Sequence, residues 1–403
     1  MINPYSVRLT ESFAPHRQGL WEALLDLGYT PLSALNLLRL AAHLSRWLDE
    51  QGKPLKSLSP ALLESFIEAR RRSGYTHFRS TRAVAPILSY LEGAGVASFA
   101  CPATEPTALG QLLRNYHEYL RSERGITEAR ARAYCDTARR FLHASLGPDH
   151  RIDTELKVSA GQLTAFLLEA ASCYSRGTVA NIATALRSML RYLYLEGHLG
   201  ADLSGAIPAT TGSRRSGLPK ALDAGEVRRL LRSCDRRCHL GRRNYAVLML
   251  MVRLGLRAGE VAALELDDID WHRGEFRVRG KGDCHERLPL PADVGDAVAN
   301  YLCRSRPQVA DRHVVMTVRA PIRALSSAAV HAIANTALVR AALPTGSHRL
   351  RHTAATQMLA AGASLDEIAQ VLRHRSHATT ALYAKVDRSA LLSVARPWPG
   401  AVS

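Results

Sequence analysis

Lysine is scarce in this chain: six lysines stand against 47 arginines among 403 residues. Cysteine is also sparse. Its seven copies, an odd number scattered from Cys101 to Cys303, do not form a disulfide framework, which fits a reducing compartment. Only Cys234, Cys238 and His239 cluster, and no second Cys/His pair supplies a fourth ligand at zinc-like spacing, so no metal is expected there. No run of about eighteen uncharged apolar residues occurs, which excludes an ordinary membrane-spanning helix. The N-terminal stretch MINPYSVRLTESFAPHRQGL has no basic segment followed by an apolar one. No secretory signal is therefore expected, and the protein is expected in the cytoplasm, with no membrane partner.

The charge present is lopsided. Net charge is +17 with a pI near 10.0, while 47% of residues are hydrophobic and mean hydropathy is −0.10. Residues 1–100 carry +3, 101–220 carry +4 and 221–403 carry +10. The surplus sits in sequence that otherwise reads as globular, without a basic tail. A folded surface facing a polyanion, nucleic acid above all, explains it, and arginine supplies planar forks that fit phosphate. A GC-rich genome would account for Arg over Lys but not for the excess over Asp and Glu.

Helical periodicity dominates the first 200 residues. LNLLRLAAHLSRWLDEQG (35–52) and LGQLLRNYHEYLRSERG (109–125) repeat apolar residues every three or four positions and end at glycine. SLSPALLESFIEA (57–69) aligns with KVSAGQLTAFLLEA (157–170), so that Ser59/Ser159, Leu63/Leu163 and Phe66/Phe166 lie 100 positions apart. YLEGAG (90–95) and YLEGHL (194–199) echo each other at an offset of 104. These matches predict two diverged copies of one helical domain, 1–100 and 107–200; two unrelated bundles of similar period are the alternative. A linker rich in Gly, Pro, Ser and Thr is expected over 201–218.

The next domain, 219–390, opens with Asp223 as expected N-cap and Glu226 in the first turn. Helices are expected at 224–233, 242–254, 292–304, 326–341, 348–361, 365–373 and 379–386, with a capping box from Ser364 to Glu367. GEFRVRGKGDCHERLPLP (274–291) alternates around two glycines and predicts a β-hairpin with Lys281 at its turn. Residues 391–403 form a tail. The expected fold class is mainly α with a small antiparallel sheet in the C-terminal domain.

Six residues of that domain carry chemistry. Arg257 follows Gly255, where a helix would break and turn a side chain outward. Lys281 lies at the hairpin turn, where the only competing lysine beyond residue 220 is Lys385. His348 and Arg351 are three apart and share a helix face. His374 and Tyr383 follow. Two arginine forks can neutralise a phosphodiester transition state without metal, a tyrosine can be the covalent nucleophile, and lysine or histidine can protonate the leaving alkoxide.

In order and spacing, GLRAGEVAALELDDIDW, RGKGDCHERLPLP, SHRLRHTAATQML and HRSHATTALYAKV resemble the arginine box, hairpin lysine, His-x-x-Arg box and His-to-Tyr segment of the tyrosine recombinase (phage integrase) family. The resemblance covers about 107–390. It implies a C-shaped clamp on DNA, with 107–200 as the core-binding domain and 219–390 as the catalytic domain. The implied activity is site-specific DNA recombination, as in integration or excision of a mobile element, through a 3′-phosphotyrosyl intermediate on Tyr383. Arg257 and Arg351 would hold the non-bridging oxygens with help from His374. Lys281 would protonate the 5′ oxygen, and His348 would act as base.

No cofactor is implied. The implied partners are double-stranded recombination sites and a homo-tetramer in synapsis, alone or with sibling recombinases. Where the family usually has Leu-Gly before this histidine, the chain has Leu372-Arg373. A type IB topoisomerase and a non-catalytic DNA-binding regulator remain as alternatives. His352 and Glu260 are read as structural neighbours of the boxes. Arg214, Arg215, Arg242 and Arg243 are candidates for phosphate contact, and the first hundred residues are additional to the minimal family architecture.

Overall fold

The computed structural model describes residues 2–96, 108–146, 156–208, 221–279 and 285–373. Its described residues are mainly helical with one small antiparallel sheet, which bears out the expected fold class. They separate into two compact units, Phe99–Arg214 and a second that joins Met1–Ser98 to Arg215–Ser403. Among the described residues no helix is long and apolar enough to cross a membrane.

Residues before 97 fold as α1 (Arg17–Asp26), α2 (Pro31–Glu50), α3 (Pro60–Arg72) and α4 (Thr81–Gly93). Leu24, Leu38, Leu44, Phe66, Ile87 and Leu91 form their apolar interior. The Phe99–Arg214 unit repeats the scheme with α5 (Ala108–Ser122), α6 (Glu128–Leu146), α7 (Ala160–Cys173) and α8 (Arg176–Leu195). In each set the first helix packs on the second, the second on the fourth and the third on the fourth. Ser59 and Ser159 both N-cap the third helix, accepting the amides of Leu62 and Gln162 at 3.3 Å. Leu63 and Leu163, Phe66 and Phe166 are buried in both. Beyond α8 a 3-10 turn, Leu203–Ala206, packs back on that helix, and Arg187 donates to the Pro208 carbonyl at 2.7 Å.

The C-terminal part is built round one helix. α9 (Ala224–Arg232) starts with the expected Asp223–Glu226 capping box. α10 (His239–Arg253) is buried at every residue from Ala246 to Val252, so it has no solvent face over two turns. It packs against α9, α11 (Ala258–Ala263), α12 (Ala292–Arg304), α13 (Ser327–Arg340) and α14 (His348–Ala360). α15 (Leu365–Leu372) packs on α14 and begins with the expected Ser364–Glu367 box.

The sheet runs β1 (Ile269–Asp270), β2 (Glu275–Arg279), β3 (His285–Pro289), all antiparallel, with Arg279 opposite His285. Strand β1 was not expected; two residues are too few to show alternation. Residues 1–98 touch this part through Ile322, whose amide donates to the Leu27 carbonyl at 2.7 Å. Gly28 makes that approach possible. It sits at φ +81, and a Cβ there would lie 2.4 Å from the Ile322 side chain.

Candidate functional site

α10 ends at Arg253, and the chain turns sharply through Gly255 at φ +64. A Cβ on Gly255 would meet the Leu372 side chain at 2.5 Å and Ala354 at 3.3 Å. The turn is thus wedged between α14 and α15, and its carbonyl accepts from Arg351 Nη1 at 2.7 Å. Arg351 is 7% exposed, and its Nη2 donates to the Leu372 carbonyl at the end of α15. Two carbonyls from segments far apart in sequence therefore fix the plane of this guanidinium.

Arg257 N-caps α11 and stays exposed. Its amide and its Nη1 both donate to Glu260, at 2.8 and 2.7 Å. The nearly buried Glu260 carboxylate also accepts from Arg373 Nη2 at 2.6 Å. Burial pushes the Glu260 carboxyl up, but the Arg373 charge and the Arg257 amide and guanidinium outweigh it and hold the pKa below the ordinary value. Arg373 adopts a left-handed backbone, φ 54 and ψ 52, where glycine is the usual helix terminator. Its side chain folds inward onto Glu260, so the turn before His374 is tied to the segment that carries Arg257.

His348 opens α14 one turn before Arg351. Its imidazole pKa is lowered by burial first, then by His331, Arg351 and Arg257. The neutral, proton-accepting form is therefore favoured. The His331 ring lies 6.3 Å from that of His348, and its Nδ1 shares a hydrogen bond with the N-cap Ser347 hydroxyl. His352 is half-buried, and burial, His348, Arg351 and Arg349 lower its pKa too.

Of the six expected site residues three are described: His348 and Arg351 lie one turn apart on α14, and Arg257 lies two residues beyond the Gly255 carbonyl that Arg351 holds. Lys281, His374 and Tyr383 lie outside the described residues, although 280–284 joins paired strands and His374 directly follows Arg373. Arg214 and Arg215 also lie outside them. Arg243 is not a surface phosphate contact: it is 7% exposed and donates to Asn244 and the Met316 carbonyl. Arg242 reaches Ser305 at 3.3 Å. Among the described residues no His/Cys/Asp/Glu group could hold a metal. The carboxylates of ELDDID are taken by arginines, Glu265 by Arg279 at 2.8 Å and Asp267 by Arg312, and Cys238 Sγ caps α10. Sequence reasoning missed His331 and Ser347, and nothing in the spacing links His331 to His348.

Residues 220–389 match the profile of the phage integrase family, and 113–197 match the phage integrase N-terminal SAM-like domain. A Sinorhizobium fredii protein named as an integrase/recombinase, y4rA, is 37% identical over 384 residues, 94% of this chain and 93% of the relative. That alignment takes in most of the residues before the SAM-like match. Tyrosine recombinase XerD of Mycobacterium tuberculosis is 32% identical over 307 residues, 72% of this chain and 96% of its own length.

Among solved structures, XerH recombinase bound to a palindromic difH substrate in a post-cleavage complex superposes with TM-score 0.55 at 19% identity, covering 84% of this chain and 97% of that one. A lambda integrase dimer bound to a COC′ core site gives 0.54 at 19% identity, covering 72% and 97%. At such identities these two likenesses speak for the fold.

The Gly255 turn gives a direct test. Gly255→Ala places a methyl against Leu372 in a left-handed backbone and should destabilise the fold by about 2 kcal/mol or more, read as a lower melting temperature. An unchanged melting temperature would show that α15 does not seat against this turn.

Proposed function

The chain belongs to the tyrosine recombinase (phage integrase) family, and from that premise we propose how its own residues carry out site-specific DNA recombination. The observation that carries the proposal is that Arg351, one turn from His348 on α14, holds both the Gly255 carbonyl two residues before Arg257 and the Leu372 carbonyl at the turn that leads into His374. Arg257 and Arg351 bind the non-bridging oxygens of the scissile phosphate, where two forks stabilise developing negative charge. The Tyr383 oxygen attacks phosphorus and gives its proton to His348. A P–O bond forms as the bond to the 5′ oxygen breaks, and Lys281 protonates that oxygen.

His374 adds a hydrogen bond to the phosphate. The 5′-hydroxyl of a second DNA strand then attacks the phosphotyrosine, restoring the diester and freeing Tyr383. Bond energy is kept in the linkage, so the cycle balances without nucleotide hydrolysis.

The partner is double-stranded DNA, and the protein works as an oligomer. We place it as a tetramer on two sites, alone or with a sibling recombinase, in the integration or excision of a mobile element in the cytoplasm. Residues 107–200 serve as the core-binding domain, 219–390 as the catalytic domain, and 1–100 as a second copy of the former.

Replacing Tyr383 with Phe should abolish covalent attachment to a nicked suicide substrate carrying the element's junction, while binding in a mobility-shift assay is kept. Adducts that persist in this variant would remove Tyr383 as nucleophile. Arg351→Lys keeps charge but loses the two-pronged fork, so cleavage should fall at least about tenfold with little change in affinity. A wild-type cleavage rate would make Arg351 structural only.

The lowered pKa of His348 has a sign that can be read in a pH profile. As a base it is active when neutral, so cleavage should persist below the ordinary imidazole range and fall only as pH drops through the depressed value. His348→Gln should remove that acid limb; a limb unchanged in the variant assigns it to another group.

A further inference from the structure

The N-terminal domain carries a feature that its sister domain lacks. Residues 69–82, from the end of α3 to the start of α4, hold five arginines and no carboxylate. At the aligned end of α7 the sister copy has Ala170, Ala171 and Ser172 where this one has Arg70, Arg71 and Arg72. The basic turn is thus peculiar to the first copy rather than a common property of the helical scaffold.

Two of the arginines build the turn. Arg70 is 6% exposed, stacks over the Tyr75 ring at 4.1 Å and donates to the His77 carbonyl at 3.3 Å. Arg71 grips the Arg79 carbonyl with Nε at 3.2 Å and Nη2 at 2.9 Å. Arg79 and Arg82 are exposed, and among the described residues their side chains make no hydrogen bond or ion pair.

Helix α2 extends the patch. The His43 ring meets Tyr75 edge-on at 5.2 Å, and Arg46 approaches His43 Nδ1 at 3.5 Å. Burial first, then the charges of Arg46 and Arg70, hold the His43 pKa below its ordinary value. The one carboxylate paired along this run, Glu68, is taken by the exposed Arg72.

We propose that the turn between α3 and α4 is a second DNA-contacting surface, with Arg79 and Arg82 each engaging a backbone phosphate of duplex DNA. The inference rests on the recombinase reading, which already puts duplex DNA within reach of this chain. Exposed guanidinium forks without acidic partners, carried on a turn pinned by Arg70 and Arg71, suit phosphate diesters better than an apolar partner. The contact is to the backbone, so it adds affinity without sequence preference.

The test uses the full-length protein and an Arg79→Gln/Arg82→Gln variant on a random-sequence duplex of about 60 base pairs. Affinity is measured across a series of salt concentrations. Each phosphate contact contributes roughly 0.9 to the slope of log K against log salt, so the variant's slope should be shallower by about two units. Its affinity at about 0.15 M salt should fall by roughly tenfold or more. Both side chains are exposed, so melting temperatures should match, and Arg79→Glu/Arg82→Glu should enlarge the loss.

Equal slopes and affinities for all three proteins would overturn the proposal. So would equal slopes with weaker self-association in sedimentation, which would assign the patch to a second copy of the chain. If the wild-type protein itself fails to bind duplex DNA, the recombinase reading falls, and this inference with it; normal wild-type binding with an unchanged variant slope sinks this inference alone.

Discussion

The buried guanidinium of Arg351 is the joint on which the C-terminal part depends. A cation at 7% exposure is tolerable only if its hydrogens are spent well, and here they fall on the carbonyls of Gly255 and Leu372. Those carbonyls lie at the mouth of α11 and the foot of α15. One side chain therefore sets the distance between the segment that carries Arg257 and the segment that leads to His374. The absence of a Cβ at Gly255 is the steric half of the same joint, because a methyl there would displace Leu372 and with it the carbonyl that Arg351 holds.

Glu260 makes the joint electrostatic as well as steric. Its carboxylate is shared by Arg257 and Arg373, so two arginines converge on one nearly buried acid. The locus keeps a positive surplus, and this surplus, together with burial, favours neutral His348. A phosphodiester is the kind of ligand that relieves such a field. Arg373 is unusual in this frame. It keeps a left-handed backbone that glycine would adopt freely, and the ion pair to Glu260 is an observable return on that strain.

What the sequence made legible follows from how local each signal is. The Asp223–Glu226 and Ser364–Glu367 caps, both ends of α12, and the hairpin strands flanking 280–284 are each written within a few adjacent residues and are present, whereas α10 starts three residues before the expected 242. Arg257, His348 and Arg351 could be picked out because their boxes have characteristic spacing. The Glu260–Arg373 link could not be read, since the two are 113 residues apart and neither needs the other for its own helix. His331 lies on a helix with no periodic reason to meet His348. Arg243 was misread for the opposite cause: an arginine beside another arginine at a helix start looks exposed, yet α10 turns it into the core.

The same point governs how the net charge should be read. Arg70, Arg243, Arg306 and Arg373 spend their forks on backbone carbonyls or on buried partners. Others, such as Arg277, Arg279 and Arg312, are drawn to the acids of 265–268. A formal +17 therefore overstates the charge free to meet a polyanion, and where the unspent forks lie matters more than their sum. In the first hundred residues the formal surplus is small, yet Arg79 and Arg82 are unspent while two neighbouring arginines hold the turn that carries them. A modest net charge with a pinned, acid-free turn is consistent with a discrete phosphate contact, whereas a diffuse surplus would attract DNA without fixing it. The same helical scheme occurs twice, and the basic turn distinguishes the one that lies outside the SAM-like match.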